Sequence, residues 1–419
     1  MLTNKLPEEV DTLLSKGQIP IIDLAHCGTE ECPKKSVVNR VASQLQKALC
    51  EKGIAFLVNH GISEEKLKTA WLHLDDFCKL PNDTKELYMR KAPDNHGYIK
   101  PSQERFDGTT PELRHAFNIC TLNAAILPEQ PLPGFKEHIA ELANDFKHLS
   151  ALLLQAIAIG LDLQSNYFLE NHSHMLSGNH DNETTLRLLY YPPVIKEDDN
   201  KCEMTKGRCK YSQQRCNGNG GIDLVPPRDV KTEKSRKNSD TDTDDETDDT
   251  DDNNGNISDH SKSSRSSRSS SEKEFNVTRC GAHCDYGTFT LLSQDSEGGL
   301  EAKLPGSTKW KRVGHLPGAI LINTGEILSI WSQKRYPALL HRVIIPEQEN
   351  VRVRGRHSMA FFCHPDNCTS IQPLDIPTIE APICDKTKKL KRRSFKAAKD
   401  KVFTAYQLLQ EKFRQTYVS

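Results

Sequence analysis

The tripeptide His283-Cys284-Asp285 places an imidazole and a carboxylate two residues apart. Residues i and i+2 of a β-strand project from the same face, so these two side chains can reach one metal ion. A further histidine, His341, opens a β-branched run, and a pair of strands in a barrel can bring it to the same ion. Each of these residues, taken alone, fits a structural role better, so the hypothesis depends on all three together.

Two histidines and one carboxylate form the facial arrangement of non-haem Fe(II) sites, which leaves three coordination positions open. Neutral imidazoles and one carboxylate leave net positive charge on ferrous iron, and that charge favours an anionic chelator. Arg356 and Ser358 would share one face of the next β run after His341. A guanidinium fork beside a hydroxyl suits a carboxylate, since the fork can pair with both oxygens. The pair is therefore a candidate anion anchor in the same barrel.

Arg352 and Arg354 compete for the anchor role because they alternate on the face of Arg356 if the strand is regular. Arg356 is preferred because it lies closest to the apolar run at residues 359–362, which should be interior. We expect Arg352 and Arg354 to be solvated, with residues 348–355 forming an extended hairpin tip.

These residues need a scaffold, and hydrophobic periodicity predicts one. Short β-rich runs divided by Gly and Pro turns fill residues 186–364 outside one unusual segment, which is typical of an antiparallel sandwich or barrel. Upstream, the pattern predicts strands at 19–24 and 54–58 and helices at 36–51, 63–80 and 134–161. A last helix at 394–416 would turn these apolar residues toward the core: Phe395, Val402, Ala405, Leu408, Leu409 and Phe413.

The unusual segment spans residues 196–275. Within it, residues 240–252 hold nine acidic side chains and no basic one, and a Ser/Arg tract follows at 261–271. Such a segment buries too little apolar surface to offset its ordering entropy, so a disordered insert is predicted. Cys202, Cys209 and Cys216 are spaced more widely than zinc ligands usually are and are interpreted as solvated thiols. Removing the insert leaves 339 residues, which suits one catalytic unit.

Composition excludes several classes of protein. The chain has 419 residues, and its 56 basic and 57 acidic residues nearly cancel, whereas a protein built to bind nucleic acid is usually strongly basic. No apolar run reaches about 18 residues, so a membrane span is not predicted. The first 17 residues lack an apolar signal region, and the thirteen cysteines are expected to stay reduced in the cytoplasm. A basic cluster at 388–393 leaves a nuclear signal open, although a solvated lead-in to the last helix is preferred.

With these residues in view, the chain resembles the isopenicillin N synthase-like branch of the Fe(II)/2-oxoglutarate-dependent oxygenases. The resemblance covers nearly everything outside the insert. It rests on motifs in the family's order and rough spacing: Ile19-Pro20-Ile21-Ile22-Asp23-Leu24, the stretch 53–62 ending in Asn59-His60-Gly61-Ile62, Gly281-Ala282-His283-Cys284-Asp285-Tyr286-Gly287-Thr288, Leu340-His341-Arg342-Val343, and Arg356-His357-Ser358-Met359-Ala360-Phe361-Phe362.

The resemblance implies an α+β fold with a double-stranded β-helix (jelly-roll) core flanked by helices. The expected parts are an N-terminal helical region at 1–185, the core at 186–366 with the insert inside it, and a helical extension at 367–419. Iron would be held by His283, Asp285 and His341. Arg356 and Ser358 would bind the distal carboxylate of 2-oxoglutarate. O₂ would be the second cosubstrate, and ascorbate is a candidate stimulant.

Tyr191 inherits a cosubstrate-binding role by resemblance, because 186–193 is similar to a family strand that often reads Asn-Tyr-Tyr-Pro. Leu189 stands at the Asn position of that strand, which removes a polar contact. A packed tyrosine with a satisfied hydroxyl is the alternative. His60 is interpreted as a turn residue rather than a ligand.

The implied function is oxidation of an unactivated C–H bond in a small molecule by hydroxylation, desaturation or cyclisation, with release of succinate and CO₂. One alternative is an iron oxidase of the same fold that does not use 2-oxoglutarate. Another is a non-catalytic interaction protein that binds a partner through the charged insert. A cytoplasmic monomer with no nucleic-acid or membrane partner is expected, and the insert remains a candidate site for a protein partner.

Overall fold

The computed structural model describes residues 11–27, 33–106, 110–122, 126–177, 181–194, 278–376 and 402–417. The predicted insert, its three cysteines and the basic cluster lie outside the described residues. The strands are β1 Ile21–Asp23, β2 Ile54–Val58, β3 Gly97–Ile99, β4 His115–Ile119, β5 Thr185–Tyr191, β6 Cys280–His283, β7 Phe289–Gln294, β8 Leu300–Lys303, β9 Lys311–Arg312, β10 Ile320–Thr324, β11 Leu340–Val343, β12 Arg356–Cys363, β13 Ser370–Ile371 and β14 Phe403–Thr404. The helices are α1 Lys35–Glu51, α2 Glu64–Lys79, α3 Asn82–Glu86, α4 Phe135–Gly160, α5 Tyr167–Glu170, α6 Glu326–Trp331, α7 Glu349–Arg352 and α8 Ala405–Thr416.

The strands form two main sheets. The larger has eight strands in the order β1-β2-β10-β7-β12-β5-β4-β3, and the smaller has four in the order β6-β11-β8-β9. Apolar side chains from both sheets share one buried cluster, which includes Leu189 and Leu321 from the larger and Leu300 and Val343 from the smaller. Two sheets that are antiparallel except for the β1–β2 pair, packed on a common interior, confirm the predicted jelly-roll core with flanking helices. Strands β1 to β4, from the N-terminal region, extend its larger sheet.

The alternation of side chains along β12 shows how the core is divided. Ser358 and Ala360 face the interior between the sheets, whereas Met359 and Phe361 belong to a second apolar cluster with the helices. In that outer layer the Phe361 ring stacks on Phe146 of α4, with ring centroids 5.4 Å apart. The strand period of two therefore gives one sheet a ligand-facing side and a helix-facing side.

Local sequence explains where the main helices begin. Ser63 caps α2 by accepting a hydrogen bond from the Lys66 amide at 3.3 Å, and acidic residues occupy the first turn, where they favour the helix dipole. Thr404 and Gln407 form a capping box that starts α8. The predicted helices at 36–51, 63–80 and 134–161 are confirmed to within a residue or two at their ends. No helix among the described residues is long and apolar enough to cross a membrane.

Four local predictions are wrong. Residues 348–355 contain the helical turn α7 instead of a hairpin tip. Arg352 lies in that turn and is only 4% exposed, because its side chain folds back so that Nη1 donates to the Glu347 carbonyl at 3.1 Å. Val402 is 57% exposed instead of facing the core, because α8 begins after its cap at Thr404. The first strand is also shorter than 19–24.

Candidate metal and cosubstrate site

The pairing of β6 with β11 places His283 directly opposite His341. Asp285 follows β6 and turns its carboxylate to the same point. Its Oδ1 lies 3.6 Å from Nε2 of His283 and 3.8 Å from Nε2 of His341. One ligand atom from each of the three residues lies within 4.8 Å of the others, which is a spacing that one metal ion can bridge. The structure thus brings the three predicted residues together.

Backbone contacts set which nitrogen of each histidine is free. Nδ1 of His283 lies 2.9 Å from the Gly281 carbonyl, and Nδ1 of His341 lies 3.1 Å from the Leu339 carbonyl. A carbonyl only accepts, so Nδ1 carries the proton in both rings and Nε2 keeps its lone pair for a metal. In addition, the Phe106 ring stacks on His283 with centroids 4.0 Å apart and limits its rotation.

Two neighbouring strands orient Asp285. Its Oδ2 accepts hydrogen bonds from the Thr290 hydroxyl at 2.6 Å and from the Asn323 amide at 2.7 Å. Thr290 on β7 and Asn323 on β10 are paired in register, so both donors lie side by side on the inner face of the sheet. With Oδ2 occupied in this way, Oδ1 is the oxygen left for a metal.

The electrostatics suit a divalent cation. Burial alone would raise the pKa of Asp285, but His341, His283 and the Thr290 hydroxyl hold it well below its usual range. Burial lowers the pKa of His341 by more than the Asp285 carboxylate raises it. Asp285 is therefore ionised and His341 neutral near pH 7, which are the forms that bind a metal. Burial opposes protonation of His283, but Cys280 and Asp285 raise its pKa, so a metal would displace a proton from that ring.

Arg356 is 1% exposed and lies on the inner face of β12. Its Nη1 donates to Ser358 Oγ at 3.1 Å and its Nη2 to Gln294 Oε1 at 3.0 Å. Nε is buried and has no hydrogen-bond partner among the described residues. A buried guanidinium with an unpaired N–H and only neutral partners at hydrogen-bond distance suits an incoming carboxylate. By contrast, Arg354 is half-exposed and pairs with Glu297 at 3.0 Å, as expected of a solvated residue.

One cavity joins the triad to Arg356. Its walls are mainly apolar, with Leu189, Leu292 and Leu321 among them. Tyr191 is buried in this wall, and its ring centroid lies 4.9 Å from the Arg356 guanidinium. Tyr191 therefore packs against the anion anchor as well as lining the cavity. Leu189 makes this part of the wall apolar, whereas the family that the chain resembles often has Asn at the same strand position.

A second cavity meets the first at His283, Asp285 and Phe362. Its walls come from the N-terminal region, from β5 and from the C-terminal helix; the polar residues among them include Asn95, Glu104, Asn118, Arg187 and Tyr417. The predicted site residues do not include these side chains. A polar residue within a largely apolar strand, such as Asn118 on β4, is the sequence feature that indicates such a cavity-lining side chain. The same signal marks Asn323 on β10.

Comparison with known proteins gives matches along most of the chain. Residues 259–365 match the family profile described as 2OG-Fe(II) oxygenase superfamily, and residues 19–138 match the profile described as non-haem dioxygenase in morphine synthesis N-terminal. Gibberellin 20 oxidase 3 of Arabidopsis thaliana is 22% identical over 383 residues, with coverage of 87% of this chain and 74% of the relative. The 1-aminocyclopropane-1-carboxylate oxidase of Dictyostelium discoideum is 24% identical, covering 83% and 82%.

Solved structures agree on the fold. Two crystal structures of one full-length Neurospora crassa protein, in complex with alpha-KG alone and with alpha-KG and thymine, match with a TM-score of 0.62 at 21% identity. They cover 94% of this chain and 96% of theirs. The chain belongs to the 2OG-Fe(II) oxygenase superfamily. It is a 2-oxoglutarate- and Fe(II)-dependent dioxygenase, so Fe(II) is its metal and 2-oxoglutarate its cosubstrate.

Proposed function

We propose that this enzyme oxidises a C–H bond of a small molecule and that His283, Asp285 and His341 hold its iron. The observation that carries the proposal is one cavity with mainly apolar walls that is lined by His283, Asp285 and His341 and also by Arg356. When bound there, iron would couple oxidation of the substrate by O₂ to the conversion of 2-oxoglutarate into succinate and CO₂.

The protein's own residues would position the cosubstrate. Arg356 and Ser358 would take its distal carboxylate, since the buried guanidinium has a free N–H and lines the same cavity as the three metal ligands. Tyr191 would support the guanidinium by packing on it. The leucine walls would exclude bulk water, which strengthens the ion pair in the low-dielectric interior.

A substrate screen under Fe(II), ascorbate and 2-oxoglutarate tests the proposal. We expect at least one small molecule to raise succinate formation in step with its own oxidation, by hydroxylation, desaturation or cyclisation. His283→Ala should form none, because one of three ligands is lost. Failure of the wild-type chain to bind Fe(II), with all three ligands present, would refute the assignment and revive a non-catalytic role.

A further inference from the structure

The second cavity contains hydrogen-bonding groups that the fold leaves without partners. Glu104 is 2% exposed and Asn118 1% exposed, and both line the cavity. Oε1 of Glu104 and Oδ1 of Asn118 have no hydrogen-bond donor among the described residues. Arg187, also buried in this wall, has an unpaired Nε–H. Leaving buried polar atoms unpaired is unfavourable, so such groups point to a ligand that pairs with them.

Neighbouring contacts fix which atoms are free. Nδ2 of Asn118 faces the Asn95 carbonyl at 3.0 Å and Asn95 Oδ1 at 2.9 Å, and since both accept, the Asn118 oxygen must point the other way. Oε2 of Glu104 already accepts from Arg114 at 2.9 Å and from Arg187. The Tyr417 hydroxyl lies within reach of both Glu104 and Asn95 Oδ1, the latter at 3.2 Å, and its single hydrogen can serve only one of them.

The free atoms form a pattern of acceptors next to a donor. Asn118 on β4 and Arg187 on β5 are paired in register, and Arg187 also contacts Glu104. The acceptors Asn118 Oδ1 and Glu104 Oε1 therefore belong to the two residues beside Arg187, whose Nε–H is the donor. A ligand that offers an N–H group next to a carbonyl oxygen matches this pattern.

The charges of the ion-pair network around Glu104 already balance. Burial raises the pKa of Glu104, but Arg114 and Arg187 outweigh it and lower the pKa to about 2, so the carboxylate is ionised. Two arginines, Arg114 and Arg187, face two acidic residues, since Glu112 also pairs with Arg114 at 2.7 Å. A charged ligand would find no surplus countercharge in this network.

Aromatic rings from four segments complete the cavity: Phe106, Tyr286, Phe362, Phe413 and Tyr417. We propose that this cavity is the substrate site and selects a compact, flat, uncharged molecule that presents an amide-type N–H beside a carbonyl. This inference rests on the proposed function, because the cavity meets the metal site at His283 and Asp285. The C–H bond to be oxidised would be the one nearest those two residues.

Binding calorimetry on the full chain, loaded with Fe(II) and 2-oxoglutarate without oxygen, tests the class of substrate. The amide probes are thymine and succinimide. Their matched controls are 1,3-dimethylthymine and N-methylsuccinimide, which keep the ring but lack the N–H donors. Benzoate and benzylamine test the two charges. We expect each amide probe to bind at least tenfold more tightly than its methylated control and than either ion. Equal binding of the methylated compounds, tighter binding of an ion, or no binding of either amide probe would overturn the proposal.

A variant tests the wall itself. In Glu104→Gln the arginines would select the amide oxygen, so the free position changes from an acceptor to an NH₂ donor. We expect amide-probe affinity to fall at least tenfold and benzoate affinity to rise, with 2-oxoglutarate affinity unchanged. Glu301→Gln is the matched control, because Glu301 is also buried and pairs with an arginine, Arg342 at 2.7 Å, but lies outside the cavity.

Unchanged amide binding in Glu104→Gln would refute the role of the wall. Melting temperature and 2-oxoglutarate binding report whether Glu104→Gln folds. If it does not fold, the comparison of amide and methylated probes on the wild-type chain tests the proposal. Succinate formation separates the two proposals. If 2-oxoglutarate is consumed while the amide probes fail to bind, the substrate class is wrong and the oxygenase assignment stands.

Discussion

Arg356→Lys isolates the contribution of the guanidinium fork, because it keeps the positive charge and changes only the donor geometry. Arginine has five N–H bonds. Two of those on Arg356 go to Ser358 and Gln294, at 3.1 and 3.0 Å, which leaves three, including the unpaired Nε–H, for a carboxylate. A lysine has three N–H bonds, so after the same two partners only one remains.

The substitution should therefore remove one of the two hydrogen bonds in a bidentate pair. A hydrogen bond to a charged group contributes about 1.5–3 kcal/mol, which corresponds to a loss of about 10- to 150-fold in affinity. Calorimetry of 2-oxoglutarate binding to the Fe(II)-loaded enzyme without oxygen measures this directly, and Fe(II) affinity should not change. Arg354→Lys is the matched control, since Arg354 is half-exposed and pairs with Glu297. Unchanged 2-oxoglutarate affinity in Arg356→Lys would show that Arg356 is not the anchor.

Three further predictions concern the metal support, pH and the core. Asn323→Leu removes a 2.7 Å hydrogen bond to Asp285, so Fe(II) affinity measured by titration should fall about 10- to 100-fold, and an unchanged value would show that this donor does not orient the ligand. Burial opposes protonation of His357, but Asp295 and Asp75 raise its pKa from 6.5 to about 9, so its stabilising effect is complete below pH 6.5 and lost as pH rises through 9. The difference in unfolding free energy between wild type and His357→Asn should shrink over that window, and a difference that does not vary with pH would contradict it. Phe146→Ala should lower the free energy of unfolding in urea by about 3–5 kcal/mol, because this fully buried ring of α4 stacks on Phe361 of the sheet. A loss under about 1 kcal/mol would mean that the surrounding side chains close the space left by the ring.

The elements that carry strong periodic signals could be predicted from the sequence. Strand β2 was predicted at its observed bounds because its five apolar residues form an unbroken buried run before a turn. The side chains of His283, Asp285 and His341 were predicted to meet, and Arg356 to face the same interior, from strand alternation and motif order. The structure places them in this way.

Other features depend on tertiary contacts that one sequence does not reveal. Arg352 was expected to be solvated, but a turn of helix buries it, and no local pattern distinguishes that turn from a hairpin tip. The second cavity joins Glu104, Arg187 and Tyr417 from three distant segments, so its composition follows from packing alone. The cytoplasmic location, the monomeric state and a protein partner for the insert stay predictions, as does the division of the chain at residue 185.

Labelled oxygen gives the most direct test of the central claim, that His283, Asp285 and His341 hold iron for oxidation of 2-oxoglutarate. Conversion of 2-oxoglutarate to succinate and CO₂ adds one oxygen atom, which a dioxygenase takes from O₂. Mass spectrometry of succinate formed by the full chain under ¹⁸O₂ should show one ¹⁸O atom per molecule, and His283→Ala should form no succinate above background. Unlabelled succinate, or equal succinate formation by the variant, would contradict the account.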